Sequence, residues 1–140
     1  MSTALPSTLP VGIVLITHAP LAQALLACVQ HVYGTPPPYL YALDIPAKQD
    51  TQTSLTQAQN IIQKANQGNG VIILTDLYGA TPCNIAAQCY QAGHVEIITS
   101  VSLPMLIRAV QYSPQGFEQT LHKTLHAVHD CTRHFQPNQE

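Results

Sequence analysis

Two polar residues stand where long apolar runs stop. His18 follows the run VGIVLI at residues 11–16 after one threonine, and Asp76 follows VIIL at 71–74, again after one threonine. Continuous apolar runs rich in β-branched residues form strands covered on both faces. Both side chains therefore belong at the carboxyl tips of central strands. Just beyond Asp76, Gly79 permits a tight turn, Thr81 suits an N-cap, and Pro82 suits the first helical position, where no backbone N–H bond is lost. The first amides and the positive dipole end of that helix face the Asp76 tip, so Gly79, Ala80 and Thr81 form an anion seat beside a carboxylate.

Strands one and three of a doubly wound sheet lie side by side at its switch point, about 4.8 Å apart, so an imidazole and a carboxylate at their tips can share a hydrogen bond. Asp76 accepting a proton from one ring nitrogen of His18 would set the tautomer and leave the other nitrogen nucleophilic. It would also stabilise the charge that grows as the ring attacks. Nucleophilic histidine, orienting carboxylate and anion seat together point to phosphoryl transfer. Neither loop carries Lys or Arg and no GxxxxGK[ST] occurs, which argues against nucleoside triphosphate chemistry. A phosphoryl group already activated on a protein donor needs less cationic help. Because the imidazole must be neutral to attack, acceptance is expected to fail well below the ordinary histidine value of about 6.5.

Each residue has a plainer reading. Asp76 could be a capping acid, and Thr81 only a helix cap, although a cap and a phosphate use the same helix end. His122, His126 and His129 are spaced i, i+4 and i+7, so they share a helix face with the geometry of metal ligands. With Asp130 the only acid nearby and no HExxH, they are expected to form a solvated face. Cys83 falls in the first turn of a helix, where a thiol can become an activated thiolate. Packing in the core is expected instead, and a thiol-based redox protein using Cys83 is the first rival reading; there Cys83→Ser abolishes activity and His18→Ala does not. A non-catalytic module binding an anion or flavin at the switch point is the second, with a copurifying ligand and no covalent phosphate.

The elements that must hold these residues follow from periodicity. Residue 20 opens a helix with Leu21, Ala24, Leu25, Cys28, Val29 and Val32 on one stripe, ended by Gly34 and the prolines at 36–38. Residues 39–45 form a weaker strand, and 51–67 a helix with Leu55, Ala58, Ile61, Ile62 and Ala65 inward. The helix from Pro82 runs to about residue 91, and a fourth strand spans 94–99. Ser102 caps a helix to about residue 112 with Pro104 in its first turn, and a last helix over 117–133 turns Leu121, Leu125 and Val128 to one side. This alternation predicts an α/β fold: a flavodoxin-like, doubly wound, mostly parallel sheet of four to five strands in order 2-1-3-4, with helices on both faces. One domain is expected over residues 11–135, after a lead-in at 1–10 and before a tail at 136–140.

Composition narrows the function classes. Hydrophobic residues make up 46% of the 140, enough for one real core. Charged residues are only 9% and the net charge is −2, so there is no basic field for nucleic acid or an anionic membrane. Fifteen glutamines supply much of the polar surface instead. No signal-peptide pattern or run long enough to span a bilayer occurs, and a cytoplasmic location is expected. Cys28, Cys83, Cys89 and Cys131 include no CxxC pair and are expected as reduced, packed thiols.

The segments LITHAPLAQALL, LTDLYGATPCN and VSLPML, taken together and in this order, resemble the mannose-type (fructose-mannose-sorbose) EIIA components of the bacterial phosphoenolpyruvate-dependent sugar phosphotransferase system. The resemblance runs over about residues 11–131. It implies that His18 takes a phosphoryl group from phospho-HPr and hands it to an EIIB partner. Asp76 matches the acidic partner of that histidine, and Thr81 the hydroxyl residue of a GGS/T-P loop that helps hold the phosphoryl group. It also implies a flavodoxin-like sheet, homodimers with an exchanged edge strand, and no metal or nucleotide cofactor. Leu103, Pro104 and Met105 match an apolar loop, read as a docking surface for protein partners. Ala19 stands where glycine commonly follows the histidine, and Ala80 where the second loop glycine stands. HFQPNQE after Arg133 is short for an exchanged strand. With no EIIB segment in sequence, onward transfer would use a separate chain, or the protein would be a regulatory acceptor.

Overall fold

Four parallel strands, β1 (Gly12–His18), β2 (Leu40–Ile45), β3 (Val71–Thr75) and β4 (Val95–Ile98), form one sheet in the order β2-β1-β3-β4. The computed structural model describes residues 9–138; most of the expected lead-in at 1–10 and the last two residues of the expected tail at 136–140 lie outside them. The helices are α1 (Leu21–Tyr33), α2 (Thr51–Ala65), α3 (Thr81–Ala87), α4 (Leu103–Tyr112) and α5 (Phe117–Cys131). The expected α/β architecture and the 2-1-3-4 order are therefore observed, with four strands, all parallel. Among the described residues no helix is long and apolar enough to cross a membrane.

Alternation along the strands divides the core in two. Ile13 and Leu15 of β1 with Ile72 and Leu74 of β3 pack against α1, α4 and α5; Val14, Ile16, Val71 and Ile73 pack against α2 and α3. Every one of these side chains is fully buried, which is why the two runs read as continuous rather than alternating. Each such side chain contributes about 1.5–3 kcal/mol by leaving water, so the two central strands are the most firmly held part of the molecule. On the second face, α2 lies directly on β1. A Cβ at Gly12 would stand 2.4 Å from the Ala65 carbonyl oxygen, so only glycine allows that approach.

Three helices differ from expectation, two in which side they bury and one in where it ends. In α1 the inward residues are Ala22, Leu25 and Val29, while Ala24, Cys28 and Val32 face solvent. This helix is apolar almost all round, so periodicity alone does not choose its buried side; packing on β1 and β2 does. In α5 the buried residues are Thr120, Thr124 and Ala127, with Leu125 and Val128 half exposed. Short side chains let α5 approach α4 closely, and the Thr120 hydroxyl stays satisfied on the Tyr112 and Gly116 carbonyls. The third helix, expected to reach residue 91, stops at Ala87. Its last turn tightens, with Cys89 and Tyr90 amides donating to Ala86 and Ala87, and the chain turns into β4 through the reciprocal Gln91–Val95 pair. The cysteines are free, but only Cys89 is buried; Cys28 and Cys131 are exposed and Cys83 is half-buried, so the expectation of packed thiols holds for one of four.

Candidate functional site

The site is built on the tips of β1 and β3. Their register pairs Ile16 with Thr75, so the next residues of both strands emerge together at the carboxyl edge. There the Asp76 carboxylate receives three hydrogen-bonding groups. Its Oδ2 lies 2.8 Å from His18 Nδ1 and accepts the His18 backbone N–H at 3.0 Å, and its Oδ1 accepts the Leu77 N–H at 2.9 Å. The Asp76 side chain is only 14% exposed, whereas that of His18 is 47% exposed. The carboxylate is thus held inside the shelf and the ring stands at its rim. Burial pushes the Asp76 carboxyl up, but the ring and the two backbone donors outweigh it and hold the group below the ordinary carboxylate range.

With Nδ1 placed on a carboxylate that can only accept, the proton belongs on Nδ1 and the lone pair on Nε2. Nε2 faces outward. An imidazole held in this way can act as a nucleophile through its other nitrogen.

Of the helices that begin at this edge, the two that directly follow β1 and β3 are treated differently. The amino end of α1, three residues after His18, is met by Asp44 of β2, whose oxygens accept from Ala22 N–H at 2.8 Å and Gln23 N–H at 3.3 Å. That end is already neutralised. The amino end of α3 has no side-chain cap, because the helix starts at Thr81 and its N-cap is Ala80. Thr81 is consequently the first helical residue rather than the cap expected of it. Gly79, at φ 81°, makes the turn that brings the loop round; its carbonyl accepts from the Asn84 side chain, and the Ala80 amide donates to Leu77. The expected anion seat is thus a braced loop whose first helical amides lack side-chain acceptors.

The residues expected to dock partners separate. Pro104 is exposed and Leu103 half-buried, but Met105 is fully buried among α4, α1 and the sheet and offers no surface. A helix places residues on different sides within one turn, so three consecutive residues could not all face a partner. Leu77 and Tyr78, 62% and 87% exposed, flank Asp76 instead. Sequence reasoning passed over them; the signal was two large apolar residues in a polar turn. It also passed over Asp44, a lone acid in an apolar strand, and Ser100, whose amide donates to the Asp76 carbonyl at 2.8 Å. The His122 and His126 ring centroids lie 4.2 Å apart with the rings tilted by 44°, and among the described residues no group of three or more His, Cys, Asp or Glu is placed to hold a metal ion.

Residues 12–128 match the family described as the PTS system fructose IIA component, EIIA-man. The chain belongs to that family. A sorbose-specific EIIA component of the phosphotransferase system from Lacticaseibacillus casei is 27% identical over 96 residues, which is 68% of each chain. Among solved structures, the IIA protein associated with the fucose utilization operon of Streptococcus pneumoniae superposes with a TM-score of 0.79 at 19% identity, covering 91% of this chain and 95% of that one. The EIIA component from Streptococcus agalactiae gives 0.75 at 20% identity, covering 88% and 95%. At these identities the structural likeness establishes the EIIA fold, and the family membership supports a role in phosphoryl transfer within the phosphotransferase system.

Proposed function

We propose that this EIIA chain is a histidine phosphocarrier that accepts a phosphoryl group from phospho-HPr on His18 Nε2 and passes it to a separate EIIB chain. The observation that carries the reading is the 2.8 Å contact between His18 Nδ1 and Asp76 Oδ2, made by a ring that is itself half exposed.

The transfer balances without a metal or nucleotide. The Nε2 lone pair attacks phosphorus in line with the donor's N–P bond; that bond breaks and its electron pair returns to the donor imidazole. His18 becomes a phosphoimidazole that keeps its Nδ1 proton, so its ring carries positive charge. Asp76 faces that charge directly. The loop of Gly79, Ala80 and Thr81, with its free helix end, receives the phosphoryl oxygens, so charge shifting onto them during transfer meets preorganised donors. Onward transfer runs the same steps in reverse toward EIIB. Leu77, Tyr78, Leu103 and Pro104 supply the apolar surface on which a protein donor or acceptor sits.

The test is incubation with enzyme I, HPr and phosphoenolpyruvate, followed by mass spectrometry for an acid-labile phosphate. Wild type and Cys83→Ser take up one phosphoryl group and His18→Ala takes up none. Uptake by His18→Ala, or loss of it in Cys83→Ser alone, would transfer the role to another residue.

A further inference from the structure

Among the described residues, Ser100 is the one non-glycine with a positive φ, at 63°. It lies two residues beyond β4, in the connection to α4. A side chain with a Cβ resists left-handed backbone, so the surroundings must hold it there. What the turn achieves is a pair of hydrogen bonds across the tip of β3: Ser100 N–H to the Asp76 carbonyl at 2.8 Å and Val101 N–H to the Thr75 carbonyl at 3.0 Å. These lie just past the last β3–β4 pair, Leu74 with Ile98, and run in reversed order, so they fold the turn back over the tip of β3. One residue later Ser102 caps α4 on the Met105 amide, which anchors the far side of the turn. The hydroxyl of Ser100 makes no hydrogen bond to any described residue, so the backbone conformation, not the side chain, is what the position supplies.

We infer that Ser100 is a positioning residue for the phosphoryl-acceptor histidine. Its left-handed turn holds the Asp76 carbonyl from the β4 side, which sets the backbone torsions of Asp76 and hence where its carboxylate meets His18 Nδ1. The two sides of Asp76 are clamped by different elements: the carbonyl by the β4–α4 turn, the carboxylate by the His18 and Leu77 amides and the His18 ring. Removing the first clamp lets the carboxylate swing and the imidazole populate both tautomers, of which only the Nδ1–H form attacks through Nε2. The inference rests on the phosphocarrier reading for its kinetic consequence and on geometry alone for its effect on the ring.

Four variants separate backbone from hydroxyl: Ser100→Gly, Ser100→Asn, Ser100→Ala and Ser100→Val. Glycine and asparagine adopt the left-handed region readily, alanine less so, and valine least. The first readout is ¹⁵N NMR of the His18 ring in the unphosphorylated protein, which reports the tautomer. The second is the rate of acid-labile phosphate formation at saturating phospho-HPr. The Gly and Asn variants keep the Nδ1–H tautomer and stay within about twofold of wild type, while Val loses about tenfold in rate with a mixed tautomer. The KM for phospho-HPr stays unchanged, because the docking surface is untouched. Should Val fail to fold, Ala carries the test with a smaller loss in the same direction. Wild-type tautomer and rate in folded Val or Ala overturn the inference, as does an equal loss in Gly, which would assign the effect to the hydroxyl. If wild type itself takes no phosphate while Val or Ala still disturbs the tautomer, the phosphocarrier reading fails and the positioning role stands.

Discussion

Replacing Asp76 by Asn isolates the charge of the carboxylate with almost no change in shape. The two oxygens accept from three donors, His18 N–H and ring on Oδ2 and Leu77 N–H on Oδ1. An amide has one acceptor oxygen and one donor NH₂, so it cannot serve both sides. If the oxygen faces His18, the NH₂ meets the Leu77 N–H, donor against donor. If it faces Leu77, the NH₂ donates to Nδ1, which moves the ring proton to Nε2 and blocks attack. Charge is lost in either case. At 2.8 Å the attraction between a carboxylate and the ring charge that forms during transfer is about 1.5 kcal/mol at bulk-water dielectric and about 6 kcal/mol at an effective dielectric of 20. With the ring half exposed and the carboxylate mostly covered, about 2–4 kcal/mol is appropriate, or roughly 30-fold to 1,000-fold in rate. The assay is single-turnover phosphorylation by excess phospho-HPr, quenched and counted as acid-labile phosphate, with circular dichroism to confirm folding. A folded Asp76→Asn protein phosphorylated within about threefold of wild type would refute the assignment of Asp76 as the charge partner.

Three further outcomes follow from the same geometry. The carboxyl of Asp76 titrates below its ordinary range in the folded state, so its ionised form contributes stability above the unfolded value of about 3.9, and that contribution is lost as pH falls through the lower folded value. Thermal melts of wild type and Asp76→Asn should therefore differ by a constant amount near neutrality and converge in acid; divergence on acidification would contradict the sign. Gly12→Ala forces a methyl to within 2.4 Å of the Ala65 carbonyl oxygen, and urea unfolding should show a loss of about 2–3 kcal/mol; an unchanged midpoint would mean that α2 is not held against β1 as described. Tyr78→Ala removes a side chain 87% exposed, so the melting temperature should hold while the KM for phospho-HPr rises about 5-fold to 30-fold; an unchanged KM removes Tyr78 from the docking surface.

The chain's own pattern decided the architecture and the two residues that meet at the candidate site. Runs such as VGIVLI and VIIL can be satisfied only by burial on both faces, which requires helical crossovers and a parallel sheet, and the polar residue that follows each run after one buried threonine must then emerge at the carboxyl edge. His18 and Asp76 were legible for that reason, as were the Ser102 cap and the glycine turn at 79, because each depends on a residue type acting on its immediate neighbours.

What periodicity left open was decided by packing at a distance. The apolar stripe of α1 is wider than the face the sheet can cover, so contact with β1 and β2 selected Ala22, Leu25 and Val29. On α5 the need for close approach favoured two threonines over Leu125 and Val128, against their hydropathy. Met105 went to the core because a helix turns about 100° per residue and its neighbours Leu103 and Pro104 took the outer positions. The amino end of α1 was closed by Asp44, 22 positions away from the Ala22 amide that it caps. The clamp at Ser100 belongs to the same class. A serine in a loop carries no sign of its φ, and only the meeting of β4 with the tip of β3 makes the left-handed turn the conformation that satisfies two carbonyls. Local chemistry names the residues at the strand tips; long-range contacts choose which faces they share and how tightly they are held, since those contacts join parts of the chain whose sequences do not refer to one another.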